Sequence, residues 1–390
     1  MSFVPRQLKK PQKLATESIR KLEDATLLIT HAEVSVRHGT GAFLKNILGE
    51  EKELVVLHSH SFFGANEIGT CTYRVWHGPA SLRKAVARIK EILRGITVRR
   101  ILCVPFYQDE ALSALAAVKL TGAPMVLYIM DDQNIHVQGI SDPLMTDLVN
   151  QAQVCFAISE PLREAYQKKF KRPFWLVPPV VDPGWFVPPD QTFTANQPPR
   201  GVLIGNLWSG SVIRRFRETI RLSGLPIDWY GNAGQPFVKL DRKKLALEGL
   251  RLHGIVPETE LIAALRAADF ALVPAGTLDG SDSHDWLART SLPSRIIFLM
   301  TSANIPIVVL GHLETAAAKF VQTKGLGTVS RYDHQDFLCA VARITVPSTR
   351  EAIRKNAARI RPCFSSEGMS AWIWESARLG RPADGRFERL

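Results

Sequence analysis

Pro173-Phe174-Trp175-Leu176-Val177-Pro178-Pro179-Val180-Val181-Asp182-Pro183, running on to Pro198-Pro199, is the stretch that sets the architecture. Eight prolines fall between residues 173 and 199, with little apolar periodicity among them. Proline neither donates to a strand ladder nor continues a helix, so this chemistry reads as an interdomain linker. On both sides of it, short apolar runs alternate with amphipathic segments. Upstream, Ala25 to Thr30, Leu54 to Leu57, Ile101 to Val104, Met125 to Ile129 and Val154 to Ile158 read as buried strands. Helical spacing covers Ala42 to Leu48, Ser81 to Ile96, Glu110 to Leu120 and Glu160 to Phe170. Downstream, strands are expected at Gly201 to Ile204, Ile227 to Tyr230, Leu250 to His253, Phe270 to Val273 and Ile307 to Leu310. Helices are expected at Val212 to Ser223, Glu258 to Ala267 and Ile296 to Thr301.

Short apolar strands separated by helices argue for parallel sheets covered on both faces. The expected fold class is therefore α/β, with two Rossmann-like domains facing across a cleft. The divisions are 1–24, a basic N-terminal segment; 25–178, an N-terminal domain; 179–199, the linker; 200–364, a C-terminal domain; and 365–390, a closing helix. In that last segment Met369, Trp372, Ile373 and Ala377 share one face, which suits packing back on the body.

The length of 390 residues is too great for one ordinary core and suits two such domains. With 46% hydrophobic and 22% charged residues, the composition is that of a globular chain. The most apolar stretch, Ile296 to Leu310, is too short and too polar to cross a membrane. No apolar signal core follows Met1, so the expected compartment is the cytoplasm. Cys71, Cys103, Cys155, Cys339 and Cys363 are scattered and form no Cys-x-x-Cys pair, which excludes a disulfide framework or zinc knuckle. The net charge of +12 points to an anionic partner. Basic residues are dispersed among acidic ones and no nucleic-acid motif is present, so nucleic acid is not expected. Arg6, Lys9, Lys10, Lys13, Arg20 and Lys21 leave a peripheral contact with an anionic membrane open to the N-terminal segment, against the plainer reading of a solvated helix.

Several phrases resemble retaining GT-B glycosyltransferases of the family 4 kind. Val154 to Glu160, followed by Trp175-Leu176-Val177-Pro178-Pro179-Val180-Val181-Asp182, is similar to the end of that family's first domain and its linker. In the second half, Ile204-Gly205-Asn206-Leu207 is similar to its strand–glycine turn. Leu252 to Pro257 is similar to the strand before its base-binding loop. Ala267 to Pro274 resembles its Ala-Asp-apolar-Pro signature, and Leu292-Pro293-Ser294-Arg295 with Ala303 to Val308 its Pro-Ser-Lys helix and following strand. The order of these phrases spans roughly residues 25–380. The chain departs from the family in lacking its Glu-x7-Glu, in carrying Asn304 where a glycine is usual, and in having Asn206 where many relatives have arginine.

The resemblance implies transfer of a sugar from a nucleoside diphosphate sugar to a saccharide or lipid-linked acceptor. Retention is the implied outcome, with the donor's own phosphate receiving the acceptor proton. The nucleotide-sugar is then a substrate, and neither a cofactor nor a metal is expected. Gly39, Gly41, Gly205, Asn206, Gly254, Val256 and Ser294 would contact the donor. Glycines at a strand–helix junction let backbone amides approach a phosphate. Arg295 would draw charge from the leaving diphosphate, helped by Arg214 on the helix after the Gly205 turn. Against that, Arg214, Arg215 and Arg217 also read as a solvated helix face. Asp279, Asp282 and His284, in the polar loop Gly276 to Asp285, are candidates for sugar hydroxyls. Asp131 and Asp132 follow a buried strand and are the candidate catalytic carboxylates. An aspartate pair there also fits the metal motif of the GT-A fold, which needs one sugar-nucleotide domain rather than two halves. His58, His60 and His136 are further acid–base candidates. The rival functions are a nucleotide-sugar epimerase and a binding protein without turnover, the latter suggested by the missing acids.

Overall fold

The computed structural model describes residues 21–388 except 63, 78–80, 189–192, 194, 208, 233–239 and 283–284. Almost all of the basic N-terminal segment, and His284, therefore lie outside the described residues.

The N-terminal domain runs β1 (Leu22–Thr30), α1 (Gly39–Leu48), β2 (Leu54–His58), β3 (Cys71–Arg74), α2 (Leu82–Ile92), β4 (Ile96–Cys103), α3 (Gln108–Thr121), β5 (Met125–Ile129), α4 (Asp142–Gln151), β6 (Ala152–Ala157), α5 (Glu160–Phe170) and β7 (Trp175–Leu176). Its strands form one parallel sheet in the order β3-β2-β1-β4-β5-β6-β7. The C-terminal domain runs β8 (Gly201–Ile204), α6 (Gly210–Ser223), β9 (Ile227–Tyr230), α7 (Arg242–Leu247), β10 (Leu250–Leu252), α8 (Glu258–Ala267), β11 (Phe270–Pro274), α9 (Asp285–Thr290), α10 (Ser294–Phe298), β12 (Ile307–Leu310), α11 (Ala316–Thr323), β13 (Gly327–Ser330), α12 (His334–Thr345) and α13 (Pro347–Ile360). A second parallel sheet takes the order β10-β9-β8-β11-β12-β13. Strands β2, β5, β8, β11 and β12 are buried along their whole length, as a sheet covered on both faces requires.

The expected helix Ser81 to Ile96 stops at Ile92. Gly95 turns the chain with φ +83°, and Ile96 opposite Leu22 already belongs to β4. Within the linker, Trp175 and Leu176 pair with Phe156 and Ala157 as the edge of the first sheet.

The last helix, α14 (Met369–Leu379), crosses back to the first domain. Met369, Trp372, Ile373 and Ala377 join the N-terminal core, and the Trp372 ring lies 5.5 Å from Phe156. The return crosses the outgoing linker directly: Val181 N donates to the Phe364 carbonyl at 2.8 Å, and Ser366 N to that of Val181 at 3.0 Å. Truncating Trp372 to alanine empties a fully enclosed aromatic site. The expected loss is about 3–5 kcal/mol, read by urea denaturation with the first domain unfolding earlier than in the wild type.

Candidate functional site

Ligands in open α/β sheets bind beyond the carboxyl ends of the strands. Here those ends of the first sheet meet the segment 290–295 of the second domain. After β5, Asp131 accepts from the Ser291 hydroxyl at 2.7 Å. After β6, the Ser159 hydroxyl donates to the Thr290 carbonyl. At the start of α1, a Cβ on Gly39 would stand 2.6 Å from the Ser294 hydroxyl, so only glycine lets the lobes close this tightly. Helix α1 has no acidic residue in its first turn, which leaves its positive end at the seam uncompensated.

One residue beyond Ser294 lies Arg295. Its Nη1 donates to the Ile204 carbonyl and its Nη2 to that of Asn206, both at 3.0 Å. The guanidinium thus grips both sides of Gly205, which turns with φ +83°. Burial lowers its pKa to about 10, so it stays charged at neutral pH. No carboxylate pairs with it among the described residues. A cation partly withdrawn from water and held only by carbonyls is costly unless an anion joins it.

Beside it, Arg215, Thr277, His312, Arg331 and Tyr332 line an open pocket of about 340 Å³ at the carboxyl ends of β11, β12 and β13. Arg215 bridges to Asp279 at 2.8 Å across its rim, and the Tyr332 hydroxyl donates to the Ala275 carbonyl at 2.8 Å. Asp282 is buried close to Tyr332 and pushes its phenol pKa upward, after burial itself.

The expected site residues thus divide. Gly39, Ser294, Arg295, Gly205, Asn206 and Asp131 come together at the seam, with Asp279 and Asp282 beside them. Asp132 does not: it is fully buried, accepting from the amides of Asn134, Ile135 and His136 at 2.7–2.9 Å. It is a loop cap, and the expected catalytic carboxylate is corrected accordingly. Arg214 points along the other face of α6, beside Arg217, Glu218 and Glu248, so its expected place at the donor is corrected too. Gly41 packs on the backbone of Ser35, with a Cβ only 2.3 Å from its carbonyl oxygen. Gly254 and Val256 follow the edge strand β10, two strands from Gly205. His136 is exposed.

Sequence reasoning named His58 and His60 as acid–base candidates but not the cluster they belong to on the first sheet. His31 after β1, His58 and His60 at the end of β2, and Glu110 at the start of α3 converge on the Phe106–Tyr107 loop. The Glu110 carboxylate accepts from the amides of Phe106 and Tyr107 at 3.0 and 2.5 Å. Burial nevertheless lifts its pKa to about 7, against the pull of Ser59 and those amides. A Glu three residues after a turn was the available signal, as a capping box, but burial was not readable from it.

No family model and no curated protein matches the sequence. Solved structures do. HepE of Anabaena, in complex with UDP and glucose, aligns at TM-score 0.63 and 14% identity over 91% of this chain and 100% of its own. MurG of Acinetobacter baumannii aligns at 0.54 and 11%, over 90% and 98%. A UDP-N-acetylglucosamine 2-epimerase aligns at 0.56 and 11%, over 93% and 98%. The two facing sheets are the GT-B fold.

The raised pKa of Glu110 makes a pH prediction. The folded chain binds this proton more tightly than the unfolded one, so the contribution is favourable below pH 4.5 and lost as pH rises through 7. Relative to Glu110→Gln, the wild type should lose roughly 3 kcal/mol of stability between pH 4 and pH 8 in urea titrations.

Proposed function

We propose that the chain is a glycosyltransferase that binds a nucleoside diphosphate sugar at the domain seam. The observation that carries this is Arg295: a half-buried, charged guanidinium with no carboxylate partner among the described residues, clamped under the Gly205 turn and one residue from the Gly39–Ser294 contact. A diphosphate placed there meets this cation, the N-terminal end of α1, and the pocket arginines Arg215 and Arg331, which would exchange their carboxylate partners Asp279 and Asp336 for it. As the bond to the sugar breaks, charge gathers on the leaving diphosphate, and donors already fixed in place stabilise it without reorganising. Asp131 acts as a latch rather than a nucleophile in this reading, because its oxygen is engaged by Ser291 of the opposite lobe. Closure of the lobes would then exclude water and align the acceptor.

The complexes of HepE with UDP and glucose support the donor class, and the shared fold of a 2-epimerase supplies the competing reading. Isothermal titration with UDP, GDP and ADP, followed by incubation with their sugars, tests both. One of the three diphosphates should bind in the micromolar range. Arg295→Gln should weaken it by tenfold or more, and Arg215→Ala, which also releases Asp279 and Ser281 at the pocket rim, by about threefold to tenfold. Release of the diphosphate with sugar transfer supports the transferase. A donor whose sugar only changes configuration supports the epimerase.

A further inference from the structure

At the carboxyl ends of β1, β2 and β4 four histidines stand within electrostatic reach of one another, and three are unsuited to proton transfer. His38 uses both nitrogens, Nδ1 accepting from Gly41 N and Nε2 meeting the Glu33 carbonyl. His58 is 4% exposed, with Nδ1 held by the His60 carbonyl. His31 lies against Phe106 with ring centroids 3.9 Å apart, and its Nδ1 is buried without a partner. His60 differs. Its ring is half-exposed between two exposed aromatics, Phe62 stacked at 5.3 Å and 9° and Tyr107 at 4.4 Å. Its Nδ1 is 2.7 Å from the Ser59 hydroxyl, which leaves Nε2 open. That hydroxyl donates in turn to the His31 carbonyl at 3.3 Å.

Resting on the donor reading above, we propose that His60, backed by Ser59 and the His31 carbonyl, is the base that deprotonates the acceptor, and that the Phe62–His60–Tyr107 ledge takes an uncharged saccharide. In the step, the acceptor hydroxyl proton passes to His60 Nε2 while its oxygen bonds to the sugar's anomeric carbon. The bond from that carbon to phosphate breaks, and its electron pair leaves with the nucleoside diphosphate. The new imidazolium donates from Nδ1 to Ser59, whose hydroxyl donates on to the His31 carbonyl, and its positive charge matches the negative charge that leaves with the diphosphate. The flat aromatic faces with polar edges suit a pyranose ring. A diphosphate-linked lipid acceptor would need cations, and the one fixed guanidinium at this edge, Arg74, already donates to the Ser59 carbonyl. A base separate from the donor's phosphate is what in-line displacement requires, so the product anomer is inverted, contrary to the retention implied by the sequence resemblance.

Charged and titratable groups from every neighbouring element face His60: Asp109 on α3, Arg74 on β3, His58 on β2, and Glu33 and His31 after β1. Burial leads their combined effect and lowers its pKa, which keeps the ring neutral and ready to accept at pH 7. The test offers the wild type UDP-glucose with neutral p-nitrophenyl hexosides, and separately with an isoprenoid diphosphate sugar, after UDP affinity is measured by calorimetry. His60→Gln should bind UDP within twofold of wild type yet lose at least a hundredfold in kcat, together with the acidic limb of the pH profile. Phe62→Ala should raise the hexoside KM and leave UDP affinity alone. A His60→Gln enzyme with wild-type kcat, a retained product anomer, or a UDP-binding wild type that uses only the isoprenoid acceptor or neither acceptor would overturn the assignment. A wild type that binds no nucleoside diphosphate would instead remove the donor reading beneath it.

Discussion

A guanidinium partly withdrawn from water, held by two carbonyls and by no carboxylate among the described residues, fixes the geometry on which the cleft depends. Arg295 can stay charged there only because Ile204 and Asn206 offer their carbonyls from both sides of one glycine. That arrangement ties α10 of one crossover to the turn after β8, so the carboxyl edge of the second sheet is rigid where a ligand would meet it. The position seven residues before Pro306, where an acid of the family pattern was sought, is Leu299, fully buried in a π-helical stretch from Leu299 to Ala303. No acid therefore competes with a ligand for the arginine from that side. The same stretch ends on Asn304 in the left-handed region, φ +50°. Asparagine adopts that conformation more readily than other side chains, which accounts for its standing where glycine is usual.

The lobes are joined by two chain crossings laid side by side, Val181 against Phe364 to Ser366, rather than by a single strand of linker. Such a pair permits rotation about one line and resists other motions, because any shear breaks two hydrogen bonds at once. At the far side the contacts are few and polar: Ser291 to Asp131, and Ser159 to Thr290. A carboxyl whose burial raises its pKa to about 6 makes that contact responsive to its surroundings. Polar latches opposite a two-strand hinge are the elements a closing cleft needs, since interfaces of this kind open at low cost.

The strands were legible because burial on both faces demands unbroken apolar runs, as in Met125 to Ile129 and Phe270 to Val273. Edges were not. Cys71 to Arg74 is only partly buried and carries no such run, so β3 went unseen, although its neighbours in the sheet did not. Helix α4 had its signals in Ser141-Asp142-Pro143, a cap followed by proline at the first turn, but the weak apolar pattern hid it. Within the site, a 100° step along α6 separates Arg214 from Arg215, and only the packing of the helix decides which of them faces the pocket. Asp131 and Asp132 show the same limit: adjacent carboxylates after one strand, one turned to the seam and the other into its own loop.

The two sheets divide the electrostatics of the cleft between them. The second presents fixed cations, which neither protonation nor closure can switch off near neutral pH. The first presents histidines whose burial lowers every pKa among them, so that at pH 7 they act as neutral donors and acceptors. An anionic carrier would bind the cationic surface and be indifferent to the neutral one, while a hydroxyl-rich partner would do the reverse. Orientation of two substrates then follows from charge alone before any shape is recognised. The position of Gly39, with room for nothing larger against Ser294, marks where the cationic and the neutral surfaces come into contact.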